Sequence, residues 1–123
     1  MKFFKKKNNK KLEEDDWPKY TEKLNDKNFN DFIEKYPICF VDFWAPWCQP
    51  CKKMTPRMRR LSKLFEKRVA FGKLNVQKNK EIANKFNIMS VPSLILFKDG
   101  KKKVFLTGVK SVGELKKIIK KYI

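Results

Sequence analysis

The 123-residue sequence contains no histidine. That removes every mechanism built on an imidazole base and every histidine-ligated metal site. Acids are scarce: 13 Asp and Glu stand against 31 Lys and Arg, for a net charge of +18. Such an excess favours solubility and attraction to anionic partners, and says nothing about fold. Three cysteines cannot all pair within one chain, so a secreted disulfide scaffold does not fit. No apolar run approaches the ~20 residues of a membrane-spanning helix. The opening Met1-Lys2-Phe3-Phe4-Lys5-Lys6-Lys7 is charged from the start and lacks the apolar core of a secretory signal.

What is present points to one globular domain. Hydrophobic residues at 41%, with eleven Phe, exclude global disorder. A chain of this length buries about two-thirds of its unfolded surface and needs no disulfide to hold a core. Residues 1–16 hold six Lys, four acids and two Asn, too little apolar surface to offset the entropy of ordering. They read as an N-terminal tail, and residues 17–123 as the domain. A targeting role for the tail stays open, although Glu13-Glu14-Asp15-Asp16 suits a transit peptide poorly.

Periodicity supplies the elements. Phe29, Phe32, Ile33 and Tyr36 predict an amphipathic helix over 26–36, with Asp26 as N-cap and Pro37 as stop. Residues 38–44 form a nearly unbroken apolar run, the signature of a strand covered on both faces; Asp42 is its one acid. Met54, Met58, Leu61 and Phe65 predict a helix over 51–67, kinked at Pro56. A strand is expected over 69–76 and a short helix over 80–86. An antiparallel hairpin follows, turning at Asp99-Gly100. Ser111 and Glu114 make a capping box for a last helix striped by Leu115, Ile118, Ile119 and Tyr122. This order gives an α/β fold, a mixed central sheet with helices on both faces. There is no internal repeat.

The chemistry lies in Trp47-Cys48-Gln49-Pro50-Cys51, just past the buried strand and at the start of a helix. Two cysteines three apart at a helix start can close a small disulfide ring with little backbone movement. There, free N–H groups and the positive end of the helix dipole stabilise a thiolate on the first sulfur. Thiolate is the form that attacks a disulfide. Pro50 costs little, because its missing N–H would have no helical partner anyway. Two other readings compete. A zinc site needs four ligands, and only Cys39 remains beyond the pair; a purely structural disulfide is superfluous in a chain this large.

The sequence resembles the thioredoxin family from about Trp17 onward. The likeness is carried by Val41-Asp42-Phe43-Trp44-Ala45, by residues 47–52 with Pro56, by Lys73-Leu74-Asn75-Val76, by Val91-Pro92-Ser93-Leu94, by Phe97-Lys98-Asp99-Gly100 and by Gly108. It implies a thioredoxin fold and a thiol–disulfide oxidoreductase that reduces protein disulfides. By the same resemblance, Cys48 is the exposed attacking thiolate and Cys51 the more buried resolving thiol. Asp42 is the buried carboxylate that handles the proton of Cys51, and Lys73 pairs with it; a desolvated acid holds its proton more tightly. Pro92 matches a cis-proline opposite the disulfide. Trp47, Gln49, Pro50, Val91, Pro92 and Gly108 line a groove for an extended substrate segment, though Gly108 also reads as a strand-end turn. The resemblance implies no cofactor beyond the Cys48–Cys51 pair, a monomer, and a reductase that re-reduces it.

Gln49 departs from the family's usual Gly, and the residues between the cysteines tune redox poise. A disulfide oxidant or isomerase on the same fold is the nearer alternative, and a redox-inert module binding an acidic protein or nucleic acid the farther one. Cys39 reads as a small core residue, with a regulatory thiol as the other reading. From Phe43 onward the chain holds 21 basic and four acidic residues. The excess fits compositional bias first, then steering of acidic protein substrates, and last nucleic acid or anionic membrane, for which no binding motif accompanies the charge. A cytoplasmic location is expected.

Overall fold

The computed structural model describes residues 12–123. After a 3-10 turn at Glu14–Asp16 come β1 (Glu22–Leu24), α1 (Phe29–Lys35), β2 (Ile38–Trp44), α2 (Gln49–Leu64) and β3 (Ala70–Asn75). Then follow α3 (Lys80–Lys85), β4 (Ser93–Lys98), β5 (Lys101–Thr107) and α4 (Val112–Lys120). The strands form one five-stranded sheet in the order β1-β3-β2-β4-β5. β3 runs parallel to both β1 and β2, and the β2–β4 and β4–β5 pairs are antiparallel. The mixed sheet expected from the sequence is therefore present, with β2 at its centre.

Strand alternation splits the core into two layers. Cys39, Val41 and Phe43 of β2, with Ile95 and Phe97 of β4, face α1 and α3 through Phe29, Phe32 and Ile82. Ile38, Phe40, Leu94 and Leu96 face α2 and α4 through Met54, Met58, Leu61, Leu115 and Ile119. By the same alternation Asp42 belongs to the α2 side. The Cys39 sulfur, fully buried, lies 3.6 Å from the carbonyls of both Phe32 and Tyr36, and burial pushes its thiol pKa well up. It is a core residue.

Several local expectations hold in detail. The hairpin turns through Asp99 (φ 53°) and Gly100 (φ 79°), two successive positive values that match the twist of the flanking strands. The capping box closes as read: Glu114 N–H donates to Ser111 Oγ at 3.1 Å, and Ser111 N–H to Glu114 Oε1 at 3.2 Å. Pro56 lies inside α2, which spans Gln49–Leu64 in place of the expected 51–67, with Phe65 as its C-cap.

Two findings differ. α1 begins three residues later than expected, with Asn28 as N-cap, because Asn25 and Asn28 satisfy each other's N–H groups across a tight turn. Asp26 instead caps α3, its Oδ1 accepting from Ile82 N–H at 2.9 Å. β1 was not foreseen: three residues have no readable period, and only pairing with β3 makes them a strand. Of the segment expected as a tail, residues 1–11 lie outside the described residues. Leu12 packs against the α1-side core, Tyr36 Oη donates to the Asp16 carbonyl at 2.7 Å, and Lys67 pairs with Glu14 at 3.0 Å.

Candidate active site

β2 ends at Trp44, and α2 begins after four intervening residues, at Gln49. Buried hydrophobic β2 fixes the strand end, and the helix start therefore sits just beyond the C-terminal end of the central strand. Cys48 is the N-cap of α2, in extended conformation, and its Sγ accepts the Cys51 backbone N–H at 3.1 Å. Cys48 and Cys51 are joined in a disulfide with Cα atoms 5.3 Å apart, within the range such a bond requires. Pro50 occupies the first helical turn, where it deprives the helix of no bond. Zinc ligation by the pair with Cys39 is not what the fold builds, since Cys39 lies in the α1-side core. Among the described residues, no group of three or more Cys, Asp or Glu is placed to hold a metal ion.

The disulfide rests on Ala45, with Trp44, Val76 and Val91 packed around it. The cis peptide bond joins Val91 to Pro92, and the Val91 carbonyl oxygen lies 3.7 Å from Cys48 Sγ. The Gly108 N–H donates to the Pro92 carbonyl at 2.9 Å, which ties the β5–α4 loop to the start of β4. Gly108 has φ +87°, while a Cβ there would meet nothing within 4 Å. Conformation, not crowding within the chain, selects glycine here, and the space above it is open. Trp47, 65% exposed, stands beside the disulfide; Gln49 and Pro50 are exposed as well.

The exposure expected to separate the two cysteines does not: both are 3% exposed. In the oxidised ring Cys48 Sγ is drawn in over the α2 N-terminus and beside Val91, and Trp47 takes the solvent-facing position. What distinguishes the sulfurs is the hydrogen bond, since among the described residues only Cys48 Sγ receives a helical N–H.

Asp42 is 3% exposed, and its Oδ1 has no hydrogen-bond partner among the described residues. Burial pushes its pKa from 3.8 to about 7, against the opposing pull of Lys73. The two are register partners across β2 and β3, yet no ion pair forms between them among the described residues. The Lys73 ammonium lies 5.8 Å from the centre of the Trp44 ring and acts on Asp42 through its field. The strand register brings together the predicted acid and lysine, while the disulfide sits one loop beyond.

Two residues at this end escaped sequence reading. Arg57 reaches from α2 to donate to the Lys110 carbonyl at 2.9 Å, fastening the β5–α4 loop to the helix that carries the disulfide. Met89, two residues ahead of Val91, is 90% exposed. Nothing in the sequence sets Met89 apart from its apolar neighbour Ile88 as the exposed one, and nothing links Arg57 to residue 110.

A thioredoxin family model matches residues 20–121. The chain belongs to the thioredoxin family. Thioredoxin from Staphylococcus saprophyticus is 38% identical over 101 residues, which cover 82% of this chain and 96% of that protein. The M-type chloroplastic thioredoxin of spinach is 36% identical over 107 residues, covering 85% of this chain but 59% of the spinach protein. Among solved structures, Plasmodium falciparum thioredoxin superposes with a TM-score of 0.77 at 31% identity, covering 84% of this chain and all of that one. A mutant thioredoxin from Halobacterium salinarum gives 0.81 at 26% identity, covering 86% and 93%. With a thioredoxin fold and a closed Cys48–Cys51 pair at the α2 N-terminus, this thioredoxin-family chain is a thiol–disulfide oxidoreductase.

Proposed function

We propose that the chain works as a net reductant of protein disulfides, with Cys48 attacking and Cys51 resolving. The Cys51 N–H bond to Cys48 Sγ supports the assignment: it stabilises negative charge on that sulfur, together with the helix dipole. In the reduced protein the Cys48 thiolate attacks one sulfur of the substrate disulfide, forming a mixed disulfide and releasing the other sulfur as thiolate. Cys51 then gives its proton to Asp42 and attacks Cys48 Sγ. The second substrate sulfur leaves as thiolate, and the Cys48–Cys51 disulfide stands closed. Two electrons have passed to the substrate. A carboxyl titrating at about 7 accepts and returns a proton at neutral pH, and the Lys73 charge favours its ionised form.

In this reading Trp47, Gln49, Pro50, Val91, Pro92 and Gly108 form the substrate groove. The Val91 backbone, beside Cys48, offers hydrogen bonds to an extended substrate segment, and the space above Gly108 admits it. The electrons travel on the cysteine pair with no further cofactor, and a separate reductase restores the dithiol. Substrates are disulfide proteins, acidic ones among them. The protein acts as a cytoplasmic monomer, and the redox unit is the part from about residue 17 onward.

Insulin reduction driven by dithiothreitol tests this. Wild type is expected to speed insulin precipitation, and Cys48→Ser and Cys51→Ser each to abolish the acceleration. Equal rates for wild type and both variants would leave a binding module. The reduction potential separates the nearer alternative: a value near that of strong periplasmic oxidants, about −120 mV, would overturn net reduction.

A further inference from the structure

Helix α2 carries six basic residues and no acid among its sixteen. This arrangement works against the helix. Lys52 stands in the first turn and Lys53 just past it, near the positive end of the dipole, where cations are unfavourable. Lys53 with Arg57 and Arg59 with Lys63 are like charges four apart, and each pair destabilises the helix. Among the described residues no carboxylate pairs with any of them: the ion pair at 3.0 Å is Lys67 with Glu14, beyond the helix end.

Composition does not account for the pattern. Lysine outnumbers arginine 27 to four in the chain, yet all four arginines fall within residues 57–68. Arg57 is committed to the Lys110 carbonyl and Arg68 to that of Leu64. Arg59 and Arg60 are exposed and make no side-chain hydrogen bond among the described residues. Their planar forks suit carboxylates in a way lysine does not. On a helical wheel Lys52, Arg59 and Lys63 share one stripe, with Lys53 and Arg60 on the adjoining one. Both stripes start beside the disulfide, and Arg59 lies about 12 Å along the axis from Cys51.

We propose that the exposed face of α2, centred on Arg59 and Arg60, is a docking site for an acidic segment of the protein substrate. It would hold carboxylates while the substrate disulfide lies at Cys48. This rests on the reductase reading above and specifies the substrate class it serves. Like charges that weaken the free helix are relieved when acidic side chains neutralise them, so the local cost in the free protein becomes binding energy for a matching partner.

The test uses two disulfide peptides identical around the cystine, one flanked by a run of four Glu and one by four Gln. At low ionic strength wild type is expected to reduce the acidic peptide with a kcat/KM about tenfold above the neutral one, through KM, and the difference should shrink in about 0.5 M salt. The R59Q/R60Q double variant should lose about five-fold on the acidic peptide and nothing on the neutral one. R59K/R60K, keeping charge without the fork, should fall between. K101Q/K102Q removes equal charge at the far end of the edge strand β5 and should leave the preference intact. An equal loss in that control, no preference in wild type, or an oligonucleotide displacing the acidic peptide at lower concentration than poly-Glu would overturn the proposal. Failure of wild type to reduce either peptide would sink the reductase reading alone. Anisotropy with a disulfide-free acidic peptide then still decides the docking site, by its sensitivity to R59Q/R60Q.

Discussion

The two sides of the sheet are built to different rules. Against α1 and α3 the core is aromatic: the Phe29 ring lies 5.5 Å from that of Phe86, 5.6 Å from Phe97 and 6.2 Å from Phe43. Helix α1 carries charge of both signs, Asp31 and Glu34 with Lys35. Against α2 and α4 the core relies more on methionine and aliphatic groups, and by strand alternation it takes in a buried acid, Asp42. Its leading helix, α2, carries charge of one sign only. The α1 side carries charges of both signs, whereas the α2 side buries an acid and carries only basic charge on the helix that starts at the disulfide. Proteins tolerate such violations where function requires them.

The largest expected effect lies on the aromatic side. Phe29→Ala deletes a fully buried ring at the centre of that cluster and should cost about 3–5 kcal/mol in urea unfolding. Insulin reduction by the protein that remains folded should be unchanged. A drop in its specific activity would blur the division between the two sides.

Asp42→Asn probes the other side, and its sign depends on pH. Below about pH 4 the carboxyl is protonated folded and unfolded alike. Between 3.8 and about 7 the unfolded chain releases a proton that the folded chain keeps, so wild-type stability falls as pH rises. Above about 7 the loss is complete, about 4 kcal/mol for a shift of this size. The variant lacks this titration. Its stability relative to wild type should therefore be about 4 kcal/mol more favourable at pH 8 than at pH 4, while its turnover at neutral pH falls. A pH-independent difference between the two proteins would show that Asp42 titrates as an ordinary surface acid.

Smallest is the cap. Asp26→Ala removes the acceptor of the Ile82 N–H, and should cost about 1–2 kcal/mol with little change in activity. Faster amide exchange should be confined to α3 and the adjoining turn; a loss spread evenly across both sides would mean the two layers do not respond separately.

Residue patterns carried most of the architecture. The apolar run of β2, the methionine and leucine stripe of α2, the Asp99-Gly100 turn and the Ser111–Glu114 box are local signals, readable because each depends on neighbours a few residues away. The cysteine pair at a helix start is local too, and so its chemistry was legible. Asp42 stood out for the same reason, as the single acid in a buried strand.

Contacts between distant segments were closed to that reading. Asp26 capping α3, the existence of β1, the Arg57 bond to Lys110, and Lys73 acting on Asp42 without an ion pair all join residues far apart in sequence. By itself the sequence determined the elements other than β1, the redox pair and the sign of the surface charge, because periodicity, capping and composition act over a turn or a strand. Tertiary structure alone decided how deeply the acid is buried, which lysine faces it and which arginines are left exposed. Those depend on where strand order and packing bring distant groups in three dimensions, and desolvation and hydrogen bonding respond only to that final proximity.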